Sequence, residues 1–280
     1  LPAPTAAGSL AAPVANMALT PAEATLAALW QQVLRLPQVG LDDNFFTIGG
    51  DSILSIQIVA RARQAGLQIT PRQIFEYQTL RQLAAVAVPT LSSTAVQEEV
   101  TGELPLTPIQ RWFLDQGWAD THHFNQAVLV EVAPRLHVLS LQEALTDLLA
   151  HHDALRLRFV QTDGLWQQVN APAVERADLM VFDFALLTPE QRNLRLAEEA
   201  DRVQARLHLA EGPLLRACYF PYGEQETGRL LLVIHHLAVD GVSWRILLED
   251  LQTAYTQRSQ GKPVQLPAKT TAFRDWARWL

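Results

Sequence analysis

Cysteine is almost absent from this chain: Cys218 is the single one in 280 residues. It therefore offers no intrachain disulfide and no cysteine-rich zinc site. Cys218 stands in the apolar run Leu214 to Phe220, where a buried, inert thiol is expected. No apolar stretch approaches the roughly 18 residues that a membrane helix needs. The Ala- and Pro-rich start, Leu1 to Met17, lacks the basic opening and apolar centre of a secretion signal. Basic residues are scattered and the formal net charge is −7, which argues against nucleic acid or an anionic membrane as partner. No unit recurs at a fixed period. These absences predict a cytoplasmic protein in a reducing setting. What the chain has in quantity is apolar surface. At 49% hydrophobic residues and 280 in length, it can bury a substantial core and suits two domains.

Two soft stretches divide it. Residues 1–19, rich in Ala and Pro, read as a linker. A second linker is expected at 89–103, where Pro89, Ser92, Ser93 and Thr94 precede Gln97-Glu98-Glu99. The predicted modules are 20–88 and 104–280.

The first module reads as all-α. Thr20-Pro21-Ala22-Glu23 is a capping box with proline at the first helical position. Leu26, Leu29, Trp30, Val33 and Leu34 then mark one apolar helix face. A loop with Phe45-Phe46 ends in Gly49-Gly50-Asp51-Ser52. Ile53, Ile56, Val59 and Ala60 carry a second helix, stopped by Gly66. Short elements near Ile74-Phe75 and from Thr79 to Ala87 complete a four-helix bundle.

The second module reads as α/β. Ala127 to Val132 is strand-like. Ser140-Leu141-Gln142-Glu143 suggests a capping box ahead of a helix through Leu149. Leu155 to Val160 alternates as a strand. Thr188-Pro189-Glu190-Gln191 opens a helix, and Leu214–Phe220 and Arg229–Ile234 are two further strands. The last runs into His235-His236-Leu237-Ala238-Val239-Asp240-Gly241, and a helical period returns at Trp244, Leu247, Leu248 and Leu251.

Two places carry chemistry. Asp51 or Ser52 suits a helix cap. That cap is the default reading; a hydroxyl placed by two glycines at a helix N-terminus also suits a phosphodiester, which the helix dipole would stabilise. In His-His-x-x-x-Asp-Gly, adjacent side chains on an extended segment face opposite ways, so a shared metal ion fits poorly. One inward histidine as acid/base, and a purely structural pair, are both open readings.

The run Asp42 to Ile53 resembles the thiolation motif of peptidyl carrier domains. By that resemblance Ser52 carries 4′-phosphopantetheine, and Asp51 before it is the form often seen ahead of epimerization domains. Leu106 to Phe113, His122 to Val128, His151 to Phe159 and His235 to Leu247 resemble, in order, motifs of the condensation and epimerization superfamily of nonribosomal peptide synthetases. The epimerization variant is the better match around Pro108 to Phe113 and after Ser243.

The resemblance implies a chloramphenicol-acetyltransferase-like lobe that inverts the α-carbon of an aminoacyl or peptidyl thioester. His236 is implied as the acid/base, with His235 a structural neighbour and Asp240 and Gly241 holding the loop. Asp240 is expected to be buried and paired with Arg156. No metal is implied. The pairs His122-His123 and His151-His152 are read as surface or packing residues.

The resemblance ends near Leu280 at half of such a domain. The expectation is therefore an incomplete, by itself inactive, N-terminal lobe, whose second acid/base (a glutamate) lies on a missing C-terminal lobe. Implied partners are a phosphopantetheinyl transferase, an upstream adenylation domain and a downstream condensation domain. The rival readings are a condensation domain making a peptide bond, a docking platform without chemistry, and an acetyltransferase acting on coenzyme A.

Overall fold

The structure, a computed structural model, describes residues 19–89 and 96–280. Apart from Leu19, the linker expected at 1–19 lies outside the described residues. The chain forms two compact units, one on each side of residues 90–95.

The first unit holds helices α1 (Pro21–Leu34) and α2 (Ser52–Gln64), strand β1 (Leu67–Gln68), helices α3 (Pro71–Glu76) and α4 (Leu80–Val86), and strand β2 (Val88–Pro89). Thr-initiated capping boxes start α1, α3 and α4. The four helices share a core of Leu26, Trp30, Phe45, Ile58, Ile74, Leu80 and Leu83. The unit is not all-α, because β1 and β2 pair as a short antiparallel ribbon. The apolar face expected on α2 also differs. Ser55, Ile58 and Ala62 are buried, whereas Ile53 and Ile56 are about 40% exposed. The helix carries two apolar stripes, and periodicity alone cannot say which one the bundle covers.

The second unit begins with strand β3 (Gly102–Leu104), helix α5 (Pro108–Leu114), strand β4 (Asn125–Val132) and helix α6 (Val138–His151). Strands β5 (Leu157–Thr162), β6 (Leu165–Asn170) and β7 (Leu179–Val181) lead to helix α7 (Pro189–Gln204). Strands β8 (Leu215–Phe220) and β9 (Gly228–His235) and helices α8 (Ser243–Ser259) and α9 (Phe273–Trp279) complete it. One sheet has strand order β3-β6-β5 and the other β4-β9-β8-β7.

The larger sheet is covered on both faces. Leu215, Ala217, Tyr219, Leu230, Leu232 and Ile234 pack against α6 and α8. Cys218, Phe220, Leu231 and Val233 pack against α7. That double burial is why β8 and β9 read as largely apolar runs, interrupted by Arg216 in β8 and by Arg229 at the start of β9. Cys218 is fully buried, and desolvation pushes its thiol up to about 12.

Three local expectations change. Helix α6 starts before Ser140, with His137 Nδ1 accepting from the Ser140 amide at 3.2 Å, so the Ser140 box is not formed. Residues 153–156 form a 3-10 turn and the strand starts at Leu157. The stretch expected as linker to residue 103 is partly folded into the lobe: Gly102–Leu104 pairs with β6, and Val100 is 1% exposed.

Candidate functional sites on the two units

The Ser52 site is built from its loop outward. Phe45 is fully buried against Trp30, their rings 5.0 Å apart, and anchors the loop. The chain then doubles back, with the Gly50 amide donating to the Phe45 carbonyl at 2.8 Å. A Cβ on Gly50 would lie 2.4 Å from the Phe45 ring, so only glycine fits. Gly49, at φ 108°, makes the preceding turn. Asp51 then caps α2, its Oδ1 accepting from the amides of Ile53 (2.8 Å) and Leu54 (2.7 Å). Capping is thus done by Asp51, and Ser52 is left as the exposed first residue of α2. Among the described residues its hydroxyl makes no hydrogen bond. An exposed, uncommitted hydroxyl on a positive helix end fits a phosphodiester linkage.

The histidine site lies where β9 ends. Strand alternation sends the two histidines to opposite sides. His235 is fully buried; its Nε2 meets the Thr121 carbonyl at 2.9 Å and its Nδ1 accepts from the Leu237 amide at 3.2 Å. His236 is exposed and stacks on Phe124, ring centroids 5.2 Å apart. Its Nδ1 meets the Val239 carbonyl at 2.8 Å. A carbonyl only accepts, so Nδ1 donates and the neutral ring keeps its lone pair on Nε2. Trp112, Phe113, Trp118 and Phe124 form a continuous aromatic group beside the pair.

Asp240 departs from expectation. It is exposed, and its Oδ1 accepts from Ser243 N (2.7 Å), Ser243 Oγ (2.7 Å) and Val242 N (3.0 Å), tying down the first turn of α8. Desolvation works against ionisation, but these Ser243 and Val242 donors hold its carboxyl below the usual range. A Cβ at Gly241 would meet open space. The expected pairing of Asp240 with Arg156 is not made. Arg156 is fully buried, and each of its donor groups is engaged elsewhere. Nε bonds Ala171 O, Nη1 bonds Leu149 O and Ala150 O, and Nη2 bonds Val100 O and Asp153 Oδ1. With all five N–H directions used, none remains for Asp240. Arg156 instead caps the end of α6 and holds residue 100 against the lobe.

Of the tandem histidines, His123 is exposed and the other three are half-buried. His122 stacks on His208 at 4.2 Å, and its Nδ1 accepts from the Leu209 amide at 3.3 Å. His151, His152 and Asp250 bring one ligand-type atom each within 4.8 Å of one another. The direct His152–Asp250 hydrogen bond of 2.8 Å accounts for that grouping. No described helix is long and apolar enough to cross a membrane.

Burial pushes His235 down to about 4, opposed by its bond to the Thr121 carbonyl. The unfolded chain therefore takes up a proton near pH 6.5 that the folded chain refuses until about pH 4. The stabilisation is complete above pH 6.5 and is lost as pH falls to 4, by about 3 kcal/mol in all. His122 and His151 are shifted the same way, each mainly by desolvation. Melting temperature should thus fall across this window, and His235→Gln should flatten the fall without removing it. Equal slopes for the two proteins would contradict this account.

A carrier-like helical unit followed by an α/β lobe with a strand-end histidine motif defines the class of protein. Residues 24–87 match the family described as Phosphopantetheine attachment site, and residues 100–280 match Condensation domain. The chain belongs to the condensation-domain family of nonribosomal peptide synthetases, with a phosphopantetheine carrier domain ahead of the condensation-type lobe. It is 49% identical over its full length to a linear gramicidin synthase of Brevibacillus parabrevis, of which it spans 5%. The epimerization domain from the third module of a tyrocidine synthetase matches 67% of this chain and 41% of its own, at 38% identity and TM-score 0.62. The starter condensation domain of rhizomide synthetase covers 64% of this chain and 44% of its own at 18% identity and TM-score 0.53, a likeness of fold alone.

Proposed function

We propose that this chain is the carrier and epimerization portion of a peptide synthetase, and that the lobe inverts the α-carbon of the carrier-bound residue from L to D. The observation that carries this reading is the 38% identity to an epimerization domain across two thirds of the chain. The competing reading, peptide-bond formation, draws on the breadth of the condensation family itself.

Ser52 is the attachment point for phosphopantetheine: its hydroxyl is exposed, uncommitted and set at a helix start. The arm supplies a thioester, which makes the α-proton of its acyl group more acidic. Ile53 and Ile56, exposed beside Ser52, give a domain that must dock on several partners an apolar surface to do so. Those partners are a phosphopantetheinyl transferase and the adenylation and condensation domains on either side.

In the lobe, His236 Nε2 is the proton acceptor or donor and Phe124 supports its ring face. His235 acts through packing, and Asp240 shapes the loop by accepting from the Val242 and Ser243 amides where α8 begins. A second acid/base is required on the opposite substrate face. We assign it to a glutamate of a second lobe rather than to any carboxylate described here. The test is chiral analysis of the acyl group hydrolysed from the carrier of a protein that joins this chain to a second lobe. After loading with an L-aminoacyl group, a mixture of L and D forms is expected. Recovery of L alone would refute the reading.

A further inference from the structure

Gln126 and Trp244 form a chain of hydrogen bonds that ends on the functional nitrogen of His236. Gln126 lies on β4 opposite Ile234 of β9. Ile234 and His236 share a strand face, so Gln126 is the diagonal neighbour of His236. Its amide nitrogen is 3.2 Å from His236 Nε2, and its amide oxygen is 2.9 Å from Trp244 Nε1. Trp244 is 7% exposed, near the start of α8. An indole N–H only donates. The Gln126 oxygen must therefore face Trp244, which turns its NH2 group toward His236. An NH2 group only donates, so Nε2 must receive it with a lone pair. The same tautomer is required from the far side of the ring, where Nδ1 donates to the Val239 carbonyl.

We propose that Gln126, oriented by Trp244, is a positioning residue that fixes the Nδ1–H tautomer of His236 and keeps Nε2 aimed as an acceptor. It rests on the reading of His236 as the acid/base. At 3.2 Å the amide contact is at the long end for a hydrogen bond, so an incoming substrate can displace it. A proton held on Nε2 would face the donating amide, an apposition that favours handing the proton on.

The deciding variant is Gln126→Glu. It keeps the shape and can still accept from Trp244, but it presents an acceptor to Nε2 and so draws a proton onto that atom. Nitrogen-15 spectroscopy of histidine-labelled 280-residue chain reads the tautomer without substrate. Wild type should show His236 protonated on Nδ1 and bare on Nε2, and Gln126→Glu should move Nε2 to the protonated signature. In a protein with the second lobe, Gln126→Glu should lower kcat by about 10²-fold with KM nearly unchanged. A histidine set in the wrong tautomer loses up to about 10⁴-fold in a catalytic triad. Trp244→Phe should give a mixture of tautomers and a smaller loss. Wild-type Nε2 carrying the proton, or an unchanged tautomer in Gln126→Glu, would overturn the proposal. Full activity in His236→Ala would instead sink the acid/base reading, and the substrate-free spectrum tells the two failures apart.

Discussion

Incubated with coenzyme A and a broad-specificity phosphopantetheinyl transferase, the chain should gain the mass of one phosphopantetheine, and Ser52→Ala should gain none. The contrast should be complete because one hydroxyl is at stake. It should also be free of folding effects. Asp51, not Ser52, satisfies the first amides of α2, and alanine is the most favourable residue inside a helix. The exposed substitution should therefore change stability by no more than about 0.5 kcal/mol. Asp51→Ala is the converse control. It should cost about 1 kcal/mol through the lost cap and still accept the arm. Intact-protein mass spectrometry with a melting curve for each variant reads both effects. Modification persisting in Ser52→Ala would remove Ser52 from the account.

In a protein carrying the second lobe, His236→Ala should slow inversion of a carrier-bound residue by 10²–10⁴-fold, about 3–5 kcal/mol of barrier, the usual contribution of a positioned acid/base. The effect should appear without unfolding. His236 is exposed, and its side chain makes one bond to the Val239 carbonyl, one contact with Gln126 and a stack on Phe124. His235→Ala is expected to lose activity by another route. It empties a fully buried site and strips the partner from the Thr121 carbonyl, so its melting temperature should fall together with its rate. Rates read beside melting curves separate the two histidines. A folded His236→Ala protein inverting at the wild-type rate would leave the histidine motif without chemistry.

Much of this architecture is legible in the sequence because local rules and tertiary demands agree. The Thr-Pro-x-Glu/Gln segments at Thr20 and Thr188 start helices as expected. The same device recurs at Thr70 and Thr107. The apolar runs of β8 and β9 announce strands buried on both faces. Strand β6 escapes the pattern reading, although Asp163-Gly164, both at positive φ, is a hairpin signal between Thr162 and Leu165.

Other features depend on which surfaces meet. Nothing in the spacing of Ile53 and Ile56 distinguishes the stripe facing solvent from the one facing the bundle. The family resemblance places Asp240 in a buried pair, whereas here Val242 and Ser243, two and three residues on, supply its donors. It also brings Arg156 to the histidine loop, but the carbonyls ending α6 lie nearer and take its hydrogen bonds. Gln126 and Trp244 sit inside recognised motifs without a role of their own. Their relation appears only once β4 pairs with β9 and brings residues 126, 236 and 244 together.

The most direct test of the central claim uses a carrier loaded with one L-aminoacyl group, in a protein with the second lobe, incubated in deuterated water. A second, loaded acceptor carrier is present in one arm and absent in the other. Inversion needs no acceptor, so both arms should show deuterium at the α-carbon and appearance of the D form. Retention of the α-proton in both arms, with an amide product only when the acceptor is present, would contradict the account and make the lobe a peptide-bond-forming domain.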